Sequence, residues 1–194
     1  MDKATATMER SDDVSEPPAA STDLASIDPA SIDPQGVHGV LDAHILHVRG
    51  TLPTWEIADL LTERLSLVVG RERVLAGNRL DPAAPVPGDF TIYARGGSGA
   101  FEPGGARMGA DLTSVLDLAH RLLAVYPTVE VSLSGHLTGI TDDAAGARLR
   151  RERRSAVTAY LEFKRVDLRR VHGVEDDDGR ELPRIELVVH HLFD

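Results

Sequence analysis

The residue best suited to bind a ligand is an arginine on the apolar side of a predicted helix. Arg153 lies four residues after Leu149 and four before Val157, so a helix places all three on one stripe. Burying an unpaired guanidinium costs several kcal/mol. We therefore expect Arg153 to reach solvent, to pair with an acid, or to hold a bound carboxylate through two parallel hydrogen bonds. The candidate acids within the chain are Asp142, Asp143 and Glu152.

Arg153 also belongs to a basic run that begins at Arg148. A helix would spread these side chains over most of its circumference, which favours a solvated face. Binding to an anionic polymer or to lipid head groups is the alternative. The members of the run are Arg148, Arg150, Arg151, Arg153 and Arg154.

No enzyme motif is evident from residue types and spacing. The glycine-rich stretch 96–105 lacks the Gly-Lys-Ser/Thr ending of a phosphate-binding loop. Cysteine is absent, and the pairs His44/His47 and His190/His191 lack zinc-like spacing with further ligands. No Ser-His-Asp or paired-carboxylate arrangement can be defended from spacing. The sequence therefore predicts no catalytic residue, no metal and no cofactor.

The elements that would position Arg153 form a regular succession after residue 88. Strands are predicted at Phe90–Ala94, Val129–Gly135, within Val166–Val174 and from Ile185, and a helix covers Ala144–Phe163. Another helix carries the stripe Leu112, Val115, Leu116, Ala119, Leu122, Leu123 and Tyr126. The order β-α-β-α-β-β predicts an α+β fold, an α/β sandwich with helices packed on a mixed sheet.

Three segments precede this unit. Residues 1–35 carry eight acids, two bases and few large apolar side chains, which predicts a disordered acidic tail. Residues 37–82 read as strand, helix and strand, with Thr54 as the helix cap and Gly70 as its end. Residues 81–88 hold three prolines and a glycine, and they are interpreted as a linker between two folded units.

Composition narrows the class of protein. The net charge of −10 argues against a nucleic-acid partner. Only Lys3 and Lys164 among the 21 basic residues are lysines, a bias that GC-rich coding explains more simply than selection for bidentate chemistry. No stretch approaches the roughly 20 apolar residues of a transmembrane helix. The N-terminus has no apolar run after its charges, so we expect a soluble chain made without a secretion signal.

Several strings between residues 90 and 192 resemble the OmpA-like (OmpA/MotB C-terminal) domain family. Val129–Leu133 followed by Gly135-His136 resembles the family's strand and its Gly-His pair. Counting on without gaps, Leu149 and Arg153 fall on the family's motif leucine and arginine. Gly173-Val-Glu175 with Pro183-Arg-Ile-Glu186 resembles the family's closing segment. The resemblance implies non-covalent, non-catalytic binding to peptidoglycan in the bacterial cell envelope.

In that family, the motif arginine and an aspartate bind the charged ends of diaminopimelate. Thr138 occupies the aspartate position here, and Gly146 occupies that of the motif asparagine. Asp142 and Asp143 could substitute for the aspartate, or they could form a solvated loop that caps the next helix. The implied peptidoglycan-binding residues are Arg153, Thr138, His136, Asp142 and Asp143. Loss of the aspartate implies weak binding.

The first unit resembles part of a BON domain through Leu46–Leu52 and Gly77–Asp81. Envelope proteins that join BON repeats to an OmpA-like domain exist, so the order of the two units supports both resemblances. The expected partner is peptidoglycan containing diaminopimelate, or another envelope protein, and the expected location is the cell envelope. The alternative is a diverged OmpA-like fold that serves as a protein-interaction module, with a cytoplasmic location because no signal peptide is visible.

Overall fold

The computed structural model describes residues 36–42, 44–94, 100–135, 144–173 and 185–193. The predicted tail 1–35 lies outside them. Within them the chain is a mixed α/β protein with three α-helices and one seven-stranded sheet. The strands are β1 (His38–Asp42), β2 (Ile45–Leu52), β3 (Val74–Leu80), β4 (Asp89–Ala94), β5 (Glu130–Gly135), β6 (Val171–His172) and β7 (Ile185–His190). The helices are α1 (Trp55–Val69), α2 (Ala110–Val125) and α3 (Ala144–Phe163).

The first segment contains one strand more than predicted. A β-α-β unit was expected, but β1 precedes it and pairs antiparallel with β2, which makes the segment β-β-α-β. Gly39 obscured this strand because glycine has a low strand propensity. The structure explains the glycine, since a Cβ there would lie 2.9 Å from Leu46 Cδ1 and 3.1 Å from Phe90 Cζ.

The predicted helix ends of the first segment are confirmed. The Thr54 hydroxyl accepts a hydrogen bond from the amide of Ile57 at 3.4 Å, which satisfies one of the free N–H groups of the first turn. Gly70 ends α1 with a φ of 97°, a left-handed value that favours glycine over other residues. After the linker, the described elements follow the predicted order β-α-β-α-β-β.

The sheet has the strand order β3-β2-β1-β4-β7-β5-β6. The central parallel pair β1–β4 joins strands from the two sides of the predicted linker, so both segments contribute to one sheet. Alternate residues of each central strand are buried, as in Phe90, Ile92 and Ala94 of β4. The same core cluster contains the buried side chains of all three helices, so the helices cover one sheet face and leave the other uncovered among the described residues.

Candidate functional site

Arg153 is the one charged residue among the described residues that is fully buried, with 5% of its surface exposed. It lies on the buried stripe of α3 with Gly146, Val157 and Leu161. The expected escape to solvent is therefore wrong. Glu152 pairs with Arg148 instead, whose Nε donates to its carboxylate at 2.7 Å. Asp142 and Asp143 lie outside the described residues.

Two groups from the loop before α2 contact the Arg153 guanidinium. Its Nε donates to the carbonyl oxygen of Gly105 at 2.8 Å, and its Cζ lies 4.8 Å from the centroid of the Phe101 ring. The ring face attracts the cation, and the neutral carbonyl accepts a charge-assisted hydrogen bond. These contacts orient the side chain without neutralising it.

The loop that supplies these groups is itself a small hairpin. Phe101 and Met108 form an antiparallel bridge, and the Glu102 amide donates to the Arg107 carbonyl at 2.9 Å. Gly104, with a φ of 68°, lets the chain turn tightly so that the carbonyl of Gly105 points at Arg153. Arg153 therefore joins the hairpin to α3.

Arg153 lines a small, solvent-connected cleft of about 50 Å³ between the hairpin, α3 and the sheet. Its walls are largely apolar and comprise Ala100, Phe101, Leu112, Leu133, Val157 and Ile185. The polar side chains are Ser134, at the end of β5, and three arginines, Arg150, Arg153 and Arg154. The predicted basic run therefore does not form a uniform solvated face, because three of its members border one cleft.

The electrostatics of the cleft favour an anion. Burial lowers the pKa of Arg153, because desolvation disfavours the charged form. Among the described residues, no carboxylate forms an ion pair with it, and Gly105 is its one hydrogen-bond acceptor. A planar guanidinium has five N–H donors, so this arrangement suits a carboxylate that brings two acceptor oxygens and a compensating charge.

Of the predicted site residues, only Arg153 falls within the described part of the chain. His136, Thr138, Asp142 and Asp143 lie outside it. Ser134 lines the cleft directly before this stretch, and Gly146 is buried directly after it. Sequence reasoning expected the glycine-rich loop to border the cleft at Arg153, but it did not single out Phe101, Gly105 or Ser134. Their glycine-rich or alternating surroundings carried no signal for a contact made 48 positions away.

A second set of polar side chains, which residue spacing did not reveal, lies on the sheet face that no described helix covers. Ser132 Oγ is 2.8 Å from His190 Nε2, and His190 Nδ1 is 2.9 Å from Asp89 Oδ1. These distances match a nucleophile–base–acid relay. However, β5 pairs with β6 and β7 on its two sides at Ser132, so the sheet engages the backbone N–H groups that could form an oxyanion hole. We therefore interpret the hydrogen-bonded set Asp89–His190–Ser132 as a polar link across β4, β7 and β5.

No family model, curated protein or solved structure matches this chain. The OmpA-like and BON-like resemblances therefore stay hypotheses, supported by the residues quoted for them. None of the described helices is long and apolar enough to cross a membrane.

Proposed function

We propose that this chain is a non-catalytic cell-envelope protein whose residues 89–194 form an OmpA-like domain that binds peptidoglycan non-covalently and weakly. The resemblance around Gly135-His136 and Leu149–Arg153 motivates the ligand class. The order of the described elements after residue 88 is consistent with that resemblance.

The observation that carries the proposal is the buried, oriented Arg153 with no acid partner among the described residues. Among the described residues, the guanidinium meets only a neutral carbonyl and a ring face, and burying a charge in this way is weak evidence of a stabilising role. The burial is explained if a ligand carboxylate completes the site. Phe101, Leu133 and Val157 would then contact the aliphatic part of a short amino-acid side chain.

Diaminopimelate in a peptidoglycan stem peptide presents both a carboxylate and an ammonium group. A bidentate pair between Arg153 and the carboxylate contributes about 1.5–3 kcal/mol. At the position of the family aspartate, Thr138 offers the ammonium only a neutral acceptor. This difference weakens binding by about 1–2 kcal/mol, or roughly tenfold in affinity.

The direct test is retention of the purified chain on isolated sacculi. We expect Arg153→Met to reduce retention to background, because Met fills the site without donating to a carboxylate. Arg151→Met is the matched control, since Arg151 is exposed on the same helix. Sacculi with amidated diaminopimelate carboxylates should retain less of the unsubstituted chain, because an amide cannot form the charged pair.

Thr138→Asp is the gain-of-function test. We expect it to strengthen retention roughly tenfold by supplying the missing charge for the ammonium. If Asp142 or Asp143 already supplies that charge, Asp142→Asn or Asp143→Asn should abolish binding, and Thr138→Asp should change little. Background retention of the unsubstituted chain would reject peptidoglycan binding and favour the protein-interaction module.

A further inference from the structure

One edge of the sheet is long and open. All seven residues of β3, Val74–Leu80, pair in parallel with β2, and no other described strand pairs with β3. About half of its peptide groups point away from β2, and their N–H and C=O groups have no sheet partner on that side among the described residues.

The two edges of the sheet differ in how they are protected. β6, at the far edge, has two residues and is followed by Gly173 with a φ of 55°, which ends the strand. By contrast, β3 is seven residues long and contains no proline and one charged residue, Arg79, so it has little of the protection common at sheet edges. Its side chains are largely exposed, and Leu75 retains 50% of its surface. An edge of this kind is suited to pairing with another strand.

We propose that the partner is a second copy of this chain, with the two β3 strands antiparallel about a two-fold axis at Gly77. In this register Gly77 faces Gly77 of the second copy, and Leu75 faces its Arg79. The charges flanking the strand then come together as well, because Arg73, the last residue of the 3-10 turn Arg71–Arg73, lies at the same end of the pairing as Asp81 of the other copy. The dimer is isologous and closed, and it joins two seven-stranded sheets into one.

Charge complementarity selects this partner and this register. Arg73 directly precedes β3 and Asp81 directly follows it, so only antiparallel pairing of like strands brings opposite charges together at both ends. A two-fold axis at Ala76 would instead place Arg73 opposite Arg79, and an axis at Asn78 would place Leu75 opposite Asp81. Arg73 has a side chain that is 46% exposed, and its ion pair with Glu72 is long, at 3.7 Å. It can therefore be recruited by the second copy.

The absence of cysteine permits a specific cross-linking test. A Cβ at Gly77 meets only the Val48 carbonyl oxygen, at 3.8 Å, so Gly77→Cys is accommodated in the strand. Residues directly opposite in antiparallel strands have Cα atoms about 4.5–5.5 Å apart, which suits a disulfide. We expect Gly77→Cys to form a disulfide-linked dimer at least tenfold faster than Leu67→Cys on the exposed face of α1.

A charge exchange tests the register. In sedimentation over a range of concentrations, the unsubstituted chain should pass from its monomer mass of 20.9 kDa to twice that mass. We expect Arg73→Asp to weaken the dimer at least tenfold, and Arg73→Asp with Asp81→Arg to restore it. Arg71→Asp, which makes the same charge change outside the pairing, is the control.

Failure of either measurement overturns the proposal. If the chain stays monomeric and Gly77→Cys cross-links no faster than Leu67→Cys, a second copy is rejected as the partner of β3. A dimer that the charge exchange does not restore would exclude this register. Neither outcome bears on retention by sacculi, so the dimer and the peptidoglycan site are tested separately.

Discussion

At the scale of single residues, the question for Arg153 is whether its buried charge serves ligand binding or stability. Its guanidinium is removed from water, and among the described residues one carbonyl and one aromatic face compensate for the lost hydration. Desolvation of an ion offsets such contacts, so a buried charge is weak evidence of stabilisation. The burial of Arg153 therefore fits the proposed role in ligand binding better than a role in stability.

We expect Arg153→Met to change the free energy of unfolding by less than about 1 kcal/mol, because relief of desolvation offsets the lost contacts. Leu161→Ala, one of the fully buried side chains on the same helix face, should cost about 2–5 kcal/mol by opening a cavity. Urea denaturation of both variants gives the comparison. A loss at Arg153→Met as large as that at Leu161→Ala would assign the arginine a structural role.

At the scale of elements, Arg170 connects the end of α2 to the segment that leads into β6. Its Nη1 donates to the Leu123 carbonyl at 2.9 Å, and its Nη2 donates to the Tyr126 carbonyl at 2.5 Å. Its Nε donates to the carbonyl of Val129 at 2.9 Å. Helix ends leave carbonyl groups unsatisfied, and a forked cation can bind several of them at once.

We therefore expect Arg170→Ala to lower the free energy of unfolding by about 2–4 kcal/mol, since it removes several charged hydrogen bonds from part-buried carbonyls. The neighbouring Arg169 is the matched control. Its side chain is 89% exposed and pairs with Asp167, so Arg169→Ala should cost less than about 1 kcal/mol. Equal losses in thermal or chemical denaturation would contradict the carbonyl-binding role of Arg170.

A second inter-element contact gives a pH dependence. Asp117 of α2 is bound by the Tyr160 hydroxyl and by Lys164 Nζ, each at 2.8 Å. Burial opposes ionisation of Asp117, but the hydrogen bonds from Lys164 and Tyr160 outweigh it and lower the pKa of the carboxyl below 3.8. The ionised form is thus favoured in the folded chain.

A carboxyl whose pKa is lower in the folded than in the unfolded state stabilises above the unfolded value, and this contribution is lost as pH falls through the folded value. We expect the stability difference between the unsubstituted chain and Asp117→Asn to be constant above about pH 5 and to shrink below about pH 4. Because the side chain is one-third exposed, the effect should stay under about 1 kcal/mol. In a chain that already carries Lys164→Met, Asp117→Asn should change the stability much less. An unchanged stability difference in that chain would contradict the pairing of Asp117 with Lys164.

At the scale of the whole molecule, contacts cross between the segments on the two sides of the linker. β1 pairs with β4, and the Tyr126 hydroxyl donates to the Arg64 carbonyl at 2.8 Å. Arg64 in turn donates to the Leu192 carbonyl near the C-terminus. Separating the segments would expose a new sheet edge on each of them.

We therefore expect the chain to unfold in one cooperative transition, with equal calorimetric and van't Hoff enthalpies. Leu61→Ala in α1 should lower the midpoint of that single transition for the whole chain. Two resolved transitions, with only the first shifted by Leu61→Ala, would instead support the two independently folding units predicted from the linker.

The sequence alone was sufficient for features that depend on a few neighbouring residues. The bounds of α3, the cap at Thr54, the end of α1 at Gly70 and the order of elements after the linker all agree with prediction. Helix periodicity and capping act within one or two turns, so the local sequence contains the physical information that determines them. The same local reasoning identified Arg153 as an unusual residue on an apolar stripe.

Only the tertiary structure decided what surrounds that arginine and which strands are neighbours. The Gly105 carbonyl reaches Arg153 across 48 positions, and Asp89 reaches His190 across 101. The pairing of β1 with β4 likewise joins distant segments. Such contacts form because several elements bury their apolar faces against one another, and no local pattern specifies which distant groups this packing brings together.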